Sequence, residues 1–149
     1  MYKHILIATD GSDLAQKGLD QGLELAAKLG SKVTILTVTE PFPMMATASS
    51  AGWIANPKDI EIYNENQASQ AQSVLKAAAE TAAKHGVKAE LKHIDDRWPA
   101  EAITEFSEKS DVDLIVMTSH GRRGIGRLLL GSQTSEVLTH TKTAILVVR

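Results

Sequence analysis

The segment from Thr118 to Ser132, Thr-Ser-His-Gly-Arg-Arg-Gly-Ile-Gly-Arg-Leu-Leu-Leu-Gly-Ser, collects the residue types that hold an anion. It contains four of the ten glycines, at 121, 124, 126 and 131, and arginines at 122, 123 and 127. Glycine lets a backbone take positive φ and approach a ligand closely. Guanidinium groups present planar, paired donors that match phosphate oxygens. A helix predicted to begin at Ser132, with that serine as N-cap, would turn unpaired N–H groups and a positive dipole end toward the same place. No acidic residue lies between Leu114 and Ser135. The chemistry these residues suit is the seating of a polyphosphate. The loop is not a P-loop, because G-x-x-x-x-G-K-[ST] is absent, and it lacks the Gly-x-Gly-x-x-Gly dinucleotide fingerprint.

Other reactive residues carry less. Asp10 follows the first apolar run, where its carboxylate serves either a ligand or, together with Ser12, the start of the next helix. His120 adjoins the glycine loop, and an imidazole is a residue type that can act as acid or base. No serine–carboxylate set accompanies it, so its role reads as structural. His93, Asp95 and Asp96 invite a metal reading, but exposed polar residues at a strand end account for them as well. The five histidines show no His-x-x-x-His spacing, and the absence of cysteine excludes disulfides, thiolate metal sites and cysteine nucleophiles.

These residues need a scaffold, and the chain supplies one domain, 1–149. With 43% hydrophobic and 23% charged residues it can bury a core unaided. The formal charge is −2; the acid-free stretch carries +3, leaving −5 elsewhere. Such a balance excludes nucleic acid and anionic membrane as whole-protein partners. Neither a signal peptide nor a spanning segment is visible, and the expectation is a soluble, cytoplasmic protein.

Apolar runs at His4–Ala8, Val33–Thr39, Val87–Ile94, Val112–Thr118 and Ala144–Val148 predict strands. Between them lie helical patterns from Leu14 to a stop at Gly30, from Ala68 to Gly86 with a start near Lys58, from Pro99 onward, and from Ser132 to His140. Alternation of this kind gives an α/β fold: a single doubly wound domain whose five-stranded parallel sheet has helices on both faces. Ligands bind beyond the carboxyl ends of such strands. That singles out residues 10–13, 40–57 and 119–131. The second of these, with Met44, Met45, Trp53 and Ile54, is long for a loop and reads as a lid, a binding surface or a disordered segment. The last strand would form a sheet edge, where an apolar strand invites pairing.

The opening Tyr-Lys-His-Ile-Leu-Ile-Ala-Thr-Asp-Gly-Ser, the Asp113-Leu-Ile-Val-Met strand, Gly121 separated by nine residues from Gly131-Ser132, and the closing Ala-Ile-Leu-Val-Val together resemble the universal stress proteins, in particular their nucleotide-binding branch. The resemblance spans the whole chain. It implies an adenine nucleotide alpha-hydrolase-like, Rossmann-like fold and a regulatory module that binds ATP, with or without magnesium. By that resemblance Asp10 would bind the ribose and the Val38 main chain the adenine, while Met117 and Thr118 line the cleft. Gly121, Gly131, Ser132 and Gln133 would hold the phosphates, with Arg122, Arg123 and Arg127 in the loop around them. A homodimer through residues 144–148, or a tetramer of such dimers, is also implied. Catalysis would amount to slow ATP hydrolysis or autophosphorylation at most. Two departures stand out: Thr118 occupies the family's first glycine position, and Arg97-Trp98 precedes Pro99 where relatives often have glycine. The alternatives are an enzyme of the adenine nucleotide alpha-hydrolase type and a nucleotide-free protein-interaction module.

Overall fold

β1 (His4–Ala8) is buried because it lies at the centre of a parallel sheet, flanked by β2 (Lys32–Val38) and β4 (Leu114–Thr118). β3 (Ala89–Ile94) and β5 (Ala144–Val148) form the two edges, giving the order β3-β2-β1-β4-β5. The computed structural model describes residues 1–44, 56–121 and 130–149. Among the described residues four helices accompany the sheet: α1 (Asp13–Leu29), α2 (Pro57–Lys84), α3 (Pro99–Lys109) and α4 (Ser132–His140). Alternate residues of the strands serve opposite faces. Ile5 and Ile7 pack with Leu19, Leu23 and Leu75 of α1 and α2. Leu6 packs with Ile103 and Val137 of α3 and α4.

The chain first builds outward, β1 to β2 to β3, and then returns to the opposite side of β1 for β4 and β5. Strand order therefore reverses between β1 and β4. This is the place where a doubly wound sheet opens a crevice at its carboxyl ends.

Local chemistry explains the element ends. Ser12 caps α1 by accepting from the Ala15 N–H at 3.2 Å, and Gly30 closes it at φ 66°. Asn56 caps α2 through the Lys58 N–H, and Pro57 occupies the first turn. The third strand begins two residues later than the sequence predicts. The reason is that the Val87 N–H still donates back to the Ala82 carbonyl at 2.9 Å, closing α2 around Gly86 at φ 69°. The fourth strand begins at Leu114 rather than Val112. Before it, the Asp113 carboxylate accepts the Lys3 and His4 N–H groups at 2.9 and 3.2 Å, fixing the amino end of β1. The buried His4 ring lies between the Ser110 carbonyl and the Thr34 hydroxyl, at 2.9 and 2.8 Å. The end of the sheet away from the crevice is thus tied shut. Among the described residues no helix is long and apolar enough to cross a membrane.

Candidate functional site

At the switch point the carboxyl ends of β1, β2 and β4 open a cleft of about 750 Å³. That volume suits a small organic ligand. Its floor is made by strand ends, one wall by α2, and the other by the starts of α3 and α4.

Asp10 sits where β1 turns into α1. Its Oδ1 accepts the Ser12 N–H at 2.9 Å, so the carboxylate orders the turn while Ser12 does the capping. Gly11 must be glycine on two counts: it has φ 77°, and a Cβ there would lie 2.6 Å from a Val74 methyl of α2. The other oxygen of Asp10 lies under Gly121, where a Cβ would stand 2.9 Å from Oδ2. The sheet thereby brings the β1 turn against the loop after β4.

Val38 ends β2. The Thr39 N–H donates to the Ile94 carbonyl at 3.0 Å and so turns toward β3. Backbone direction alternates along a strand, so the Val38 N–H and C=O turn toward β1. There the ladder ends with the Thr9 N–H donating to the Leu36 carbonyl at 2.9 Å, and β1 bends away at Asp10. Val38 consequently offers a donor and an acceptor edge to the cleft.

The far side begins at Met117 and Thr118, both buried and both in the cleft lining. The Thr118 hydroxyl donates to the His120 carbonyl at 2.8 Å, and its methyl fills space left by Gly18 of α1, where a Cβ would lie 2.8 Å away. The β-branched residue at this position is accommodated by a glycine on the facing helix. The Thr118 carbonyl accepts the Thr134 hydroxyl at 2.9 Å, and the Ser119 N–H donates to the Val148 carbonyl of β5 at 2.9 Å. The Gly131 N–H donates to the Ser119 carbonyl at 2.7 Å, and a Cβ on Gly131 would lie 2.8 Å from that oxygen. Gly131 has φ −59°, so what requires glycine here is this close approach of two backbones rather than its conformation.

α4 runs from Ser132 to His140 as expected, but its N-cap is Gly131 and not Ser132, which corrects the expected cap. A glycine cap brings no side-chain acceptor, and the first helical bond is Ser135 N–H to the Gly131 carbonyl. The N–H groups of Ser132, Gln133 and Thr134 therefore have no intrahelical acceptor and border the cleft. α1, α2 and α3 each carry an acidic residue in the first turn, and α4 carries none. The Gln133 side chain is engaged elsewhere. Its Oε1 accepts the Ala100 N–H at 2.9 Å and caps α3, whose own N-cap, Trp98, cannot.

The structure thus brings Asp10, Val38, Met117, Thr118, Gly121, Gly131, Ser132 and Gln133 to one cleft. Arg122, Arg123 and Arg127, and Met45, Trp53 and Ile54 of the long loop, lie outside the described residues. His120 also lines the cleft, with its ring 3.1 Å from the Ser119 hydroxyl. His93 instead pairs with the Thr39 hydroxyl at 2.8 Å, and no group of three metal-ligating side chains occurs among the described residues.

Sequence reasoning missed the α2 wall. Tyr63 and Gln67 line the cleft there, the Tyr63 hydroxyl donating to the Glu40 carbonyl at 3.3 Å and its ring meeting Phe42 edge-on at 5.3 Å. A tyrosine in an otherwise polar helical turn is the signal that could have found it. Trp98 also lines the cleft and is 50% exposed. Beside it Arg97 pairs with Glu105 at 2.7 Å. The cations Lys109 and Arg97 hold the Glu105 carboxyl down to about 2.

A profile of the universal stress protein family matches residues 1–149. Universal stress protein MJ0531 of Methanocaldococcus jannaschii is 31% identical over all of this chain and 83% of its own length. Universal stress protein YxiE of Bacillus subtilis is 32% identical over the full length of both. Among solved structures, the protein MJ0577 superposes with a TM-score of 0.80 at 25% identity, covering 99% of this chain and 96% of its own. A universal stress protein in complex with cAMP gives 0.73 at 23% identity, over 99% of this chain and 97% of that one. One from Archaeoglobus fulgidus in complex with dAMP gives 0.68 at 21%, over 99% and 98%.

Proposed function

Because the chain belongs to the universal stress protein family, we propose that its cleft binds an adenine nucleotide, ATP with or without magnesium, and that the protein acts as a nucleotide-responsive regulatory module. One observation carries this reading. The Asp10 carboxylate, the outward main chain of Val38 and the side-chain-free start of α4 converge on a single cleft. They form an ordered set: an edge for a base, an acceptor for sugar hydroxyls and donors for phosphates. The complexes of relatives with cAMP and dAMP support the adenine class. Arg122, Arg123 and Arg127 add phosphate donors in this reading, and magnesium would arrive as the counter-ion of the triphosphate.

The same reading has the outer edge of β5 pairing with a second copy of the chain, as a homodimer or a tetramer of dimers in the cytoplasm. Mass determination in solution tests that part.

The binding itself is tested by denaturing the purified protein and identifying released small molecules by mass spectrometry, followed by calorimetric titration of the emptied protein with ATP, ADP and AMP. An adenine nucleotide released or bound is the expected result. No release and no heat with any of the three at millimolar concentration would overturn the reading.

A further inference from the structure

We propose that Trp98 is the stacking face of a nucleobase subsite and gives the cleft a preference for ligands that carry a large planar base. This rests on the nucleotide reading above and adds a residue to it. Trp98 lines the cleft, yet half of it remains exposed, an unusual state for a large apolar ring inside a folded wall. Its backbone is fixed from both directions. The Arg97 N–H donates to the Thr39 carbonyl at 3.2 Å, and the Trp98 carbonyl accepts the first bond of α3 from Ala102 at 3.1 Å. The Arg97 guanidinium is held by Glu105, and the next turn by the Gln133 cap. The indole is therefore displayed from a braced frame rather than a loose loop.

Its placement selects the base end of the cleft. Arg97 is bonded to Thr39, the residue after Val38, so Trp98 stands beside the strand end whose donor and acceptor face the cleft. Asp10 and Gly121 meet each other in the turns that follow β1 and β4. Ile103 and Met117 supply apolar lining near α3. Tyr63 also borders the cleft, but its ring is committed to Phe42 and its hydroxyl to the Glu40 carbonyl. Among the tryptophan, tyrosine and phenylalanine rings of the described residues, Trp98 is thus the one in the cleft left open to a ligand. A flat base laid on the indole could present its hydrogen-bonding edge to Val38, and stacking of this kind tolerates any base while rewarding a large one.

The test is calorimetric titration of wild type, Trp98→Ala and Trp98→Phe with ATP and with inorganic tripolyphosphate, which has no base. Circular dichroism checks that each variant is folded. The expected result is that Trp98→Ala weakens ATP by about 5- to 100-fold, leaves tripolyphosphate within about 2-fold, and that phenylalanine recovers most of the loss. In a Trp53→Phe background, where Trp98 is the only tryptophan, ATP should quench the fluorescence and tripolyphosphate should not. Unchanged ATP affinity in Trp98→Ala, or equal losses for both ligands, would overturn the stacking role while leaving nucleotide binding standing. Failure of the wild type to bind ATP would overturn both.

Discussion

Gly121 lies so near Asp10 that a single added carbon would stand 2.9 Å from the carboxylate oxygen Oδ2. The two residues come from opposite sides of the strand-order switch, and their approach sets the width of the cleft between β1 and β4. Gly121 is not among the described glycines with positive φ, so alanine there costs no backbone strain. Gly121→Ala should displace the Asp10 carboxylate and lower stability only by what loosening its bond to the Ser12 N–H costs, about 1 kcal/mol or less. We expect adenine nucleotide affinity to fall about 10-fold, the scale of one hydrogen bond to a charged group, as read by titration. Undiminished affinity would remove Asp10 from the site.

Thr118 and Gly18 should prove energetically coupled. Gly→Ala inside a helix ordinarily stabilises by about 1 kcal/mol. At position 18 the new methyl would lie 2.8 Å from the Thr118 methyl, and overpacking of this kind costs about 1–3 kcal/mol. Gly18→Ala should therefore fail to stabilise the wild type, yet stabilise a Thr118→Ser protein, which keeps the hydroxyl bond to His120. A double-mutant cycle in urea should give coupling of about 1 kcal/mol or more; additive effects would contradict the packing.

Gln133 should matter to stability through α3 rather than α4. Removing its carboxamide leaves the Ala100 N–H without its acceptor. Gln133→Ala should cost about 1 kcal/mol, the usual value of a helix cap, and hydrogen exchange in the first turn of α3 should quicken. Exchange quickening in α4 alone would contradict this assignment.

Glu105 predicts a pH window. Its carboxyl is held down to about 2 from the ordinary 4.5, first by Lys109 and then by Arg97. A carboxyl whose pKa is lowered on folding contributes stability above its unfolded pKa and loses it as pH falls toward the folded value. Wild type should lose more stability than Glu105→Gln between pH 4.5 and 2, and the two should converge near pH 2. Because the group is exposed, the difference should be small and should shrink in salt. Parallel acid profiles would exclude the pair as a contributor.

Much of the fold is legible in the residues because the strands at the sheet centre are covered on both faces. Ile5, Leu6 and Ile7 must all be apolar there, and a run of that kind cannot be mistaken for an alternating, half-exposed edge. Helix ends set by a local residue, the Ser12 hydroxyl at one end of α1 and the left-handed backbone of Gly30 at the other, are equally plain. The glycine loop could be located because strand, glycines and helix start are contiguous. What could not be read depends on contacts distant in sequence. Tyr63 reaches the cleft only because α2 runs back along it, and Gln133 caps a helix that begins more than thirty residues earlier. The need for glycine at 131 lies in the Ser119 carbonyl, and at 18 in a threonine a hundred positions away. No local pattern encodes such pairs.

The bond from the Ser119 N–H to the Val148 carbonyl gives the last strand a second meaning. Ser119 also carries Gly131, so the carboxyl-terminal edge of the sheet and the entrance of α4 hang from one residue. Two main-chain bonds therefore join the outer rim to the glycine that opens α4, beside the donors that border the cleft. In thermodynamic terms a grip on the rim and an occupant in the cleft can each alter the other's hold, and by the same factor in both directions.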